Sequence, residues 1–145
     1  SIKNIYPNSY FIEEIPLSRE NLGTITWLFL HTMSVNYPEN PTKQRQNDLK
    51  LFWDVLSRLY PCGECAKHIR DKLLIYPVNT LNNKEYTIWL CNLHNNVNKD
   101  LGYKQINCNF DDIYKTFKSD KYCGCDNEFI PGIDDSNDDP NKSTK

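Results

Sequence analysis

The feature that most constrains the fold is an apolar stripe over residues 49–60. Its members recur at i, i+3, i+4 and i+7, the spacing of one face of an α-helix; they are Leu49, Phe52, Trp53, Leu56, Leu59 and Tyr60. Pro61 interrupts the stripe, because proline lacks the donor for the next helical hydrogen bond. Asn40-Pro41 can cap and open this helix, since proline is tolerated at a first helical position.

The remaining segments also favour helices, and none shows convincing two-residue alternation. Ser18 is a plausible N-cap for a helix over residues 22–36, on which Trp27, Leu30, His31 and Ser34 share a face. Further helices are predicted at about 63–74, 85–101 and 111–118. The third is expected to turn Ala66, Ile69, Leu73 and Leu74 inward, and Gly102 to end the fourth. The prediction is an all-α fold: a four-helix bundle with a short fifth helix.

The chain has 145 residues, which fits one domain. We predict an extended segment over residues 1–17, a helical domain over 18–118, a Cys-Gly-Cys segment over 119–130, and a disordered acidic tail over 131–145. The chain begins at Ser1, so a targeting segment could lie upstream.

The charge balance points away from two classes of partner. Seventeen basic and 19 acidic side chains leave a net charge of −2, which gives no electrostatic case for nucleic acid or an anionic membrane. No apolar run approaches the roughly 20 residues of a membrane span. We therefore expect neither nucleic acid nor membrane as a partner.

Six cysteines are the second strong signal, and they fall into three close pairs: Cys62/Cys65, Cys91/Cys108 and Cys123/Cys125. An even count with close pairing suggests disulfides and an oxidising compartment. A chain of this length does not need disulfide bonds merely to fold, so at least one pair is free for chemistry. The alternative is that all six are structural.

The first pair, in Cys62-Gly63-Glu64-Cys65, stands where a helix should begin. A helix N-terminus carries about half a positive charge, and it can lower a cysteine pKa from about 8.5 to roughly 3.5–7.5. The pair therefore suits thiol–disulfide exchange.

Three interpretations of this pair remain open. A thioredoxin-like site expects a βαβ setting, which is not predicted here. A zinc site could combine Cys62 and Cys65 with Cys123 and Cys125, which would make the chain a non-enzymatic helical adaptor. The third interpretation is a dithiol that feeds a cofactor held in the bundle.

Polar residues on the predicted fourth helix favour the cofactor interpretation. His94, Asn95 and Asn98 lie on adjoining faces, and polar groups directed at a core must be paired. A flavin, an apolar ring with polar edges, would satisfy them. Trp27 and His31 could stack on the same ring. The alternatives are a solvent-facing set on the fourth helix and a core tryptophan with a satisfied histidine on the first.

Four motifs come in the order and spacing of one family. They are Gly23-x-x-x-Trp27-x-x-x-His31-Thr32, Tyr37-Pro38, Tyr60-Pro61-Cys62-Gly63-Glu64-Cys65, and Cys91-Asn92-Leu93-His94-Asn95-x-Val97-Asn98-x-x-Leu101. From about Leu22 to Cys108 the chain resembles the Erv/ALR family of FAD-linked sulfhydryl oxidases. Two departures are Thr24, where members often have Arg, and the fifth helix, where Tyr114 and Phe117 are the aromatics nearest to a Trp that many members carry.

The resemblance implies a homodimer with noncovalent FAD in the mouth of the bundle. It implies that Cys62 exchanges with the incoming dithiol and that Cys65 lies against the flavin. The implied FAD-binding residues are Gly23, Trp27, His31, Tyr37, Cys91, His94, Asn95, Val97, Asn98, Leu101 and Lys104. No metal is implied.

The resemblance also assigns the other two cysteine pairs. Cys91 and Cys108 match the family's structural disulfide, and closing a loop of that size is worth roughly 3 kcal/mol; two free buried thiols are the alternative. Cys123-Gly124-Cys125 is similar to the C-terminal shuttle disulfide of the yeast endoplasmic reticulum member; a zinc pair or a chance surface pair is the alternative.

The expected function is disulfide formation. Electrons would pass from a dithiol protein, or from an upstream thiol oxidoreductase, through the distal pair to Cys62/Cys65 and FAD. Oxygen, giving hydrogen peroxide, or cytochrome c would accept them. The expected compartment is the mitochondrial intermembrane space, with the endoplasmic reticulum lumen as the alternative.

Overall fold

The computed structural model describes residues 15–119, and this part of the chain is helical without strands. Its five helices are α1 (Arg19–Asn36), α2 (Lys43–Leu59), α3 (Gly63–Ile75), α4 (Asn83–Leu101) and the short α5 (Phe110–Phe117). The all-α prediction of four helices and a short fifth is confirmed.

Capping residues mark where the helices begin and end. Ser18 caps α1 as predicted, and its Oγ accepts from the Asn21 amide at 3.0 Å. The predicted start of α2 at Asn40-Pro41 is wrong, because the hydroxyl of Thr42 accepts from the Arg45 amide at 3.1 Å and makes Thr42 the N-cap. Gly102 ends α4 in the left-handed region at φ 75°, which favours glycine.

The main core lies between α1, α2 and α4. Its buried members are Leu30, Leu49, Trp53, Tyr86, Leu90 and Leu93. The indole Nε1–H of Trp53 donates to the hydroxyl of Tyr86 at 2.9 Å, which pairs two polar groups inside the core. Burial raises the pKa of that hydroxyl. A smaller cluster of Val35, Cys91 and Ile113 seats α5 against α1 and α4.

Two leucines of the predicted stripes lie outside the core. Leu74 is 83% exposed, so the prediction that it points inward is wrong. Ala66 is buried, while Ile69 and Leu73 pack against the main core; these three share one face, and Leu74 lies about 100° further round the helix. Leu59, the last residue of α2, is 74% exposed.

Helix α3 is fastened on both sides, which fixes the cysteine motif at its start. Arg70 donates from Nη1 to the Ser57 carbonyl of α2 at 2.6 Å. Lys72 donates from Nζ to Asn96 Oδ1 at 2.7 Å and to Asp100 Oδ2 at 2.6 Å, both on α4. The Lys72 ammonium lowers the pKa of the Asp100 carboxyl.

Of the helices between residues 15 and 119, none combines the length and the apolar character that a bilayer span requires.

Candidate active site

Cys62 and Cys65 form a disulfide at the N-terminus of α3. Tyr60 is the C-cap of α2, Pro61 prevents the helix from continuing, and Cys62 is the N-cap of α3. Its sulfur accepts from the Cys65 amide at 3.3 Å, so it sits at the positive end of the helix dipole. Both cysteines are half-buried. The pair is oxidised, and the helix is placed to stabilise a thiolate after reduction.

A cluster of aromatic and imidazole rings joins α1, α4 and α5. The ring of Trp27 stacks on that of His94 with centroids 4.0 Å apart and planes within 7°. His31 Nε2 lies 2.8 Å from His94 Nδ1, and Phe117 stacks on the other imidazole, that of His31, at 5.0 Å. The stack of Trp27 on His94 leaves no room for a third ring between them, so a planar ligand would have to contact an outer face or edge.

Both imidazoles are neutral at pH 7, and burial keeps them neutral well below it. Burial lowers the pKa of His31 to about 4, helped by the neighbouring His94, and lowers the pKa of His94 to about 4. In their shared hydrogen bond one ring donates and the other accepts. The second nitrogen of His31, Nδ1, is buried and has no hydrogen-bond partner among residues 15–119. Because an unpaired buried polar atom is costly, this nitrogen fits a ligand or water with a polar edge.

Asn95 and Asn98 are paired with the segment that links α4 to α5. Asn95 Nδ2 donates to the Ile106 carbonyl at 2.8 Å, and the Ile106 amide donates back to Asn95 Oδ1 at 2.7 Å. Asn98 Nδ2 donates to the Lys104 carbonyl at 3.4 Å. The chain itself therefore supplies partners for these amides, and they hold the segment that carries Lys104 beside α4.

The second disulfide joins Cys91 to Cys108 and closes the same segment. Cys91 is fully buried in α4, while Cys108 packs against the cluster formed by Val35, Cys91 and Ile113. The entry to α5 is therefore held both by a covalent bond and by the Asn95 hydrogen bonds. The pairing is the one that the resemblance implied.

A family model described as the Erv1 / Alr family matches residues 24–121. The chain belongs to this family. It is 46% identical over 87 residues to the FAD-linked sulfhydryl oxidase ERV1 of Arabidopsis thaliana, covering 60% of this chain and 46% of the relative. It is 32% identical over 107 residues to the FAD-linked sulfhydryl oxidase ERV2 of Saccharomyces cerevisiae, covering 74% and 52%. The chain spans about half the length of the curated relatives it matches.

Solved structures agree with the sequence relatives. The crystal structure of the yeast Erv1 core superposes with a TM-score of 0.69 at 33% identity, covering 77% of this chain and 94% of that one. The FAD-binding domain of Erv1 from Saccharomyces cerevisiae gives 0.67 at 31% identity, covering 71% and 99%. The described helices thus form the fold of the Erv1 core.

The other predicted cofactor residues of this Erv1/Alr chain differ in their surroundings. A Cβ built on Gly23 would meet nothing within 4 Å, so the chain leaves open space there. Leu101 is 59% exposed, although its stripe on α4 suggested burial, and Val97 is half-buried. Tyr37 donates its hydroxyl proton to the Thr80 carbonyl at 2.8 Å, and burial raises its pKa to about 12. Its hydroxyl is thus engaged by the chain.

Two contacts near the cysteine motif and the ring cluster were missed by sequence reasoning. The choice between Tyr114 and Phe117 was open, and the structure stacks Phe117 on His31. The helical register held the signal, because Phe117 lies four residues after the buried Ile113 and shares its face. The second is an ion pair between Arg19 and Glu64, for which the sequence carried no signal.

Cys123 and Cys125 lie outside the described residues, as do most of the predicted segments 1–17, 119–130 and 131–145. In the range 15–119, no three or more of the histidine, cysteine, aspartate and glutamate side chains are grouped so that they could hold a metal ion.

Proposed function

We propose that this chain is an FAD-linked sulfhydryl oxidase that converts protein dithiols into disulfides. The observation that carries the proposal is the Cys62–Cys65 disulfide at the start of α3, with the Cys62 sulfur facing the Cys65 amide. Membership of the Erv1/Alr family and the names of the relatives support it.

The exchange uses two successive attacks on sulfur. A substrate thiolate attacks Cys62 Sγ, forms a mixed disulfide, and breaks the bond to Cys65, which leaves as a thiolate. The second substrate thiolate then attacks the substrate sulfur of the mixed disulfide and releases Cys62 as a thiolate. The substrate has lost two electrons and two protons, and the cysteine pair holds the two electrons. The positive end of α3 favours both leaving thiolates.

The residues that would hold FAD are the ring cluster and the other positions that the family resemblance implies. The buried, unpaired Nδ1 of His31 supports this, because it would pair with the polar edge of a planar ring. The chemistry supplied by bound FAD is acceptance of two electrons from the reduced pair and their delivery to oxygen, giving hydrogen peroxide, or to cytochrome c. Trp27 and His94 would orient the ring, and Asn95 and Asn98 would hold the α4–α5 segment against it.

The finer parts of the proposal concern assembly and location. We propose a homodimer in which Cys123–Cys125 relays electrons from protein dithiols to Cys62–Cys65, with residues 18–118 as the oxidase domain. The mitochondrial intermembrane space is the proposed compartment, with the endoplasmic reticulum lumen as the alternative. The mitochondrial option is supported by the names of two relatives, which are called mitochondrial FAD-linked sulfhydryl oxidases.

The first test is the visible spectrum of the purified full chain. We expect a flavin band that bleaches when dithiothreitol is added without air. Cys62→Ser or Cys65→Ser should abolish turnover of every thiol substrate while the protein stays yellow. A colourless protein with stoichiometric zinc would refute the oxidase and support an adaptor.

A second test concerns the distal pair. The double variant Cys123→Ser/Cys125→Ser should still oxidise dithiothreitol but should slow with protein dithiols. Equal loss on both substrates would show that this pair is not a shuttle.

A further inference from the structure

The cysteine motif contains a negatively charged residue, and an arginine from another helix forms an ion pair with it. Glu64 lies between the two cysteines, in the first turn of α3. Arg19, the first residue of α1, places Nη2 at 3.6 Å from Glu64 Oε2. The pair crosses from one helix start to another, so the contact brings α1 to the edge of the cysteine motif.

Most other cations around this end of the molecule have partners away from the motif. Arg58 of α2 bonds Asp54 at 2.6 Å, and Lys67 of α3 bonds Asp71 at 2.9 Å. Arg70 bonds the Ser57 carbonyl and Lys72 bonds Asp100. The other charged or titratable groups near the motif include Glu20, Tyr60 and His68. In the described chain, Arg19 is the cation that forms an ion pair with Glu64.

Glu64 works against the chemistry proposed for the motif. A thiolate at Cys62 is favoured by the positive end of α3, but a carboxylate two residues away disfavours it by like-charge repulsion. A cation paired with that carboxylate offsets part of this repulsion. The inference rests on the proposed function, because it concerns the thiolates that disulfide exchange releases.

We propose that Arg19 is an electrostatic positioning residue for the redox pair, which stabilises the Cys62 thiolate by neutralising Glu64. Both side chains are more than half exposed, at 62% and 66%, so solvent and salt screen the effect. Exposed pairs of this kind change an equilibrium by a few-fold, and we expect about a two- to fourfold effect on the thiolate population at low salt.

The test measures the pH profile of Cys62 alkylation in the reduced full chain, with the label located by peptide mass spectrometry. At pH 6.5, well below the roughly 8.5 of a free thiol, Arg19→Gln should slow alkylation about two- to fourfold. The difference should vanish at high pH, where the thiol is ionised in both proteins. It should also fall away in about 1 M salt, where the screening length is about 3 Å.

Two further variants separate this effect from structural damage. Arg58→Gln is the matched control, because it removes an arginine of similar exposure (55%) that bonds Asp54, and it should leave the profile unchanged. Arg19→Gln/Glu64→Gln cancels the change in charge and should return the rate to within about 1.5-fold of the parent.

An Arg19→Gln profile that matches Arg58→Gln would overturn the proposal, and so would a double variant as slow as Arg19→Gln alone. The alkylation assay requires no flavin turnover. Absence of oxidase activity would therefore refute the proposed function, whereas the alkylation profile alone decides the role of Arg19.

Discussion

The neutral His31–His94 pair should make stability fall as the pH drops from 7 to 5. The folded pKa of each histidine is about 4, whereas the unfolded value is near 6.5. Between pH 7 and pH 4 the unfolded chain therefore binds more protons at these histidines than the folded chain does. The stability that the neutral pair contributes is fully present above pH 6.5 and is lost as the pH falls towards 4.

The magnitude follows from these values. At pH 5, a histidine with pKa 6.5 unfolded and about 4 folded loses about 2 kcal/mol of stability. His31 is 3% exposed and takes that full value. His94 is only half-buried, so solvent screening reduces its share to about 1 kcal/mol. We expect the free energy of unfolding to fall by about 3 kcal/mol between pH 7 and pH 5.

The assay is urea unfolding at both pH values, followed by circular dichroism, with flavin content measured in each sample. The double variant His31→Asn/His94→Asn should be less stable at pH 7 but should lose most of the pH dependence. His68→Gln is the matched control, because it removes an exposed imidazole and should keep the full slope. Asp71 and Asp100 do not contribute between pH 5 and pH 7, because hydrogen bonds from Lys67 and Lys72 lower the pKa of each carboxyl further away from this range. Equal unfolding free energies at the two pH values, or an undiminished slope in the double variant, would refute the reasoning.

Two further changes test the core and the closed loop. Cys91→Ala/Cys108→Ala should lower the free energy of unfolding by about 3 kcal/mol, because it opens a loop with a sequence separation of 17; an unchanged urea midpoint under non-reducing conditions would contradict this. Trp53→Phe should cost about 1–3 kcal/mol, because it removes the buried donor to the Tyr86 hydroxyl. Trp89→Phe is its control, whose indole bonds the Tyr76 carbonyl in a more exposed place, and it should cost clearly less in the same urea titration; equal losses would show that the buried bond is not the cause.

Helix positions could be predicted because their signals are local. Pro61 separates α2 from α3, Ser18 caps α1, and Gly102 ends α4. Each of these effects depends on only a few neighbouring residues. The errors arose where two local signals compete or where a stripe is wider than its contact. Thr42 displaced Asn40-Pro41 as the cap of α2, and Leu74 fell outside the face that α3 buries.

The candidate site also has a part that depends on local signals and a part that does not. The Cys62/Cys65 motif could be predicted because the cysteine spacing, the proline and the helix start are adjacent in the sequence. The ring cluster was not, since His31 and His94 are 63 residues apart and α5 adds Phe117. Helical periodicity shows which face a residue occupies, but not which helix faces it.

Asn95 and Asn98 show where the inference from polarity stops. Their position on α4 predicted that they need partners, and physical chemistry requires this for any polar group directed inward. The structure gives those partners from the α4–α5 segment through Ile106 and Lys104. Only His31 Nδ1 keeps the unmet requirement within the ring cluster of the described chain. The two asparagines therefore hold the α4–α5 segment in place, and the case for a ligand is strongest at the imidazole pair.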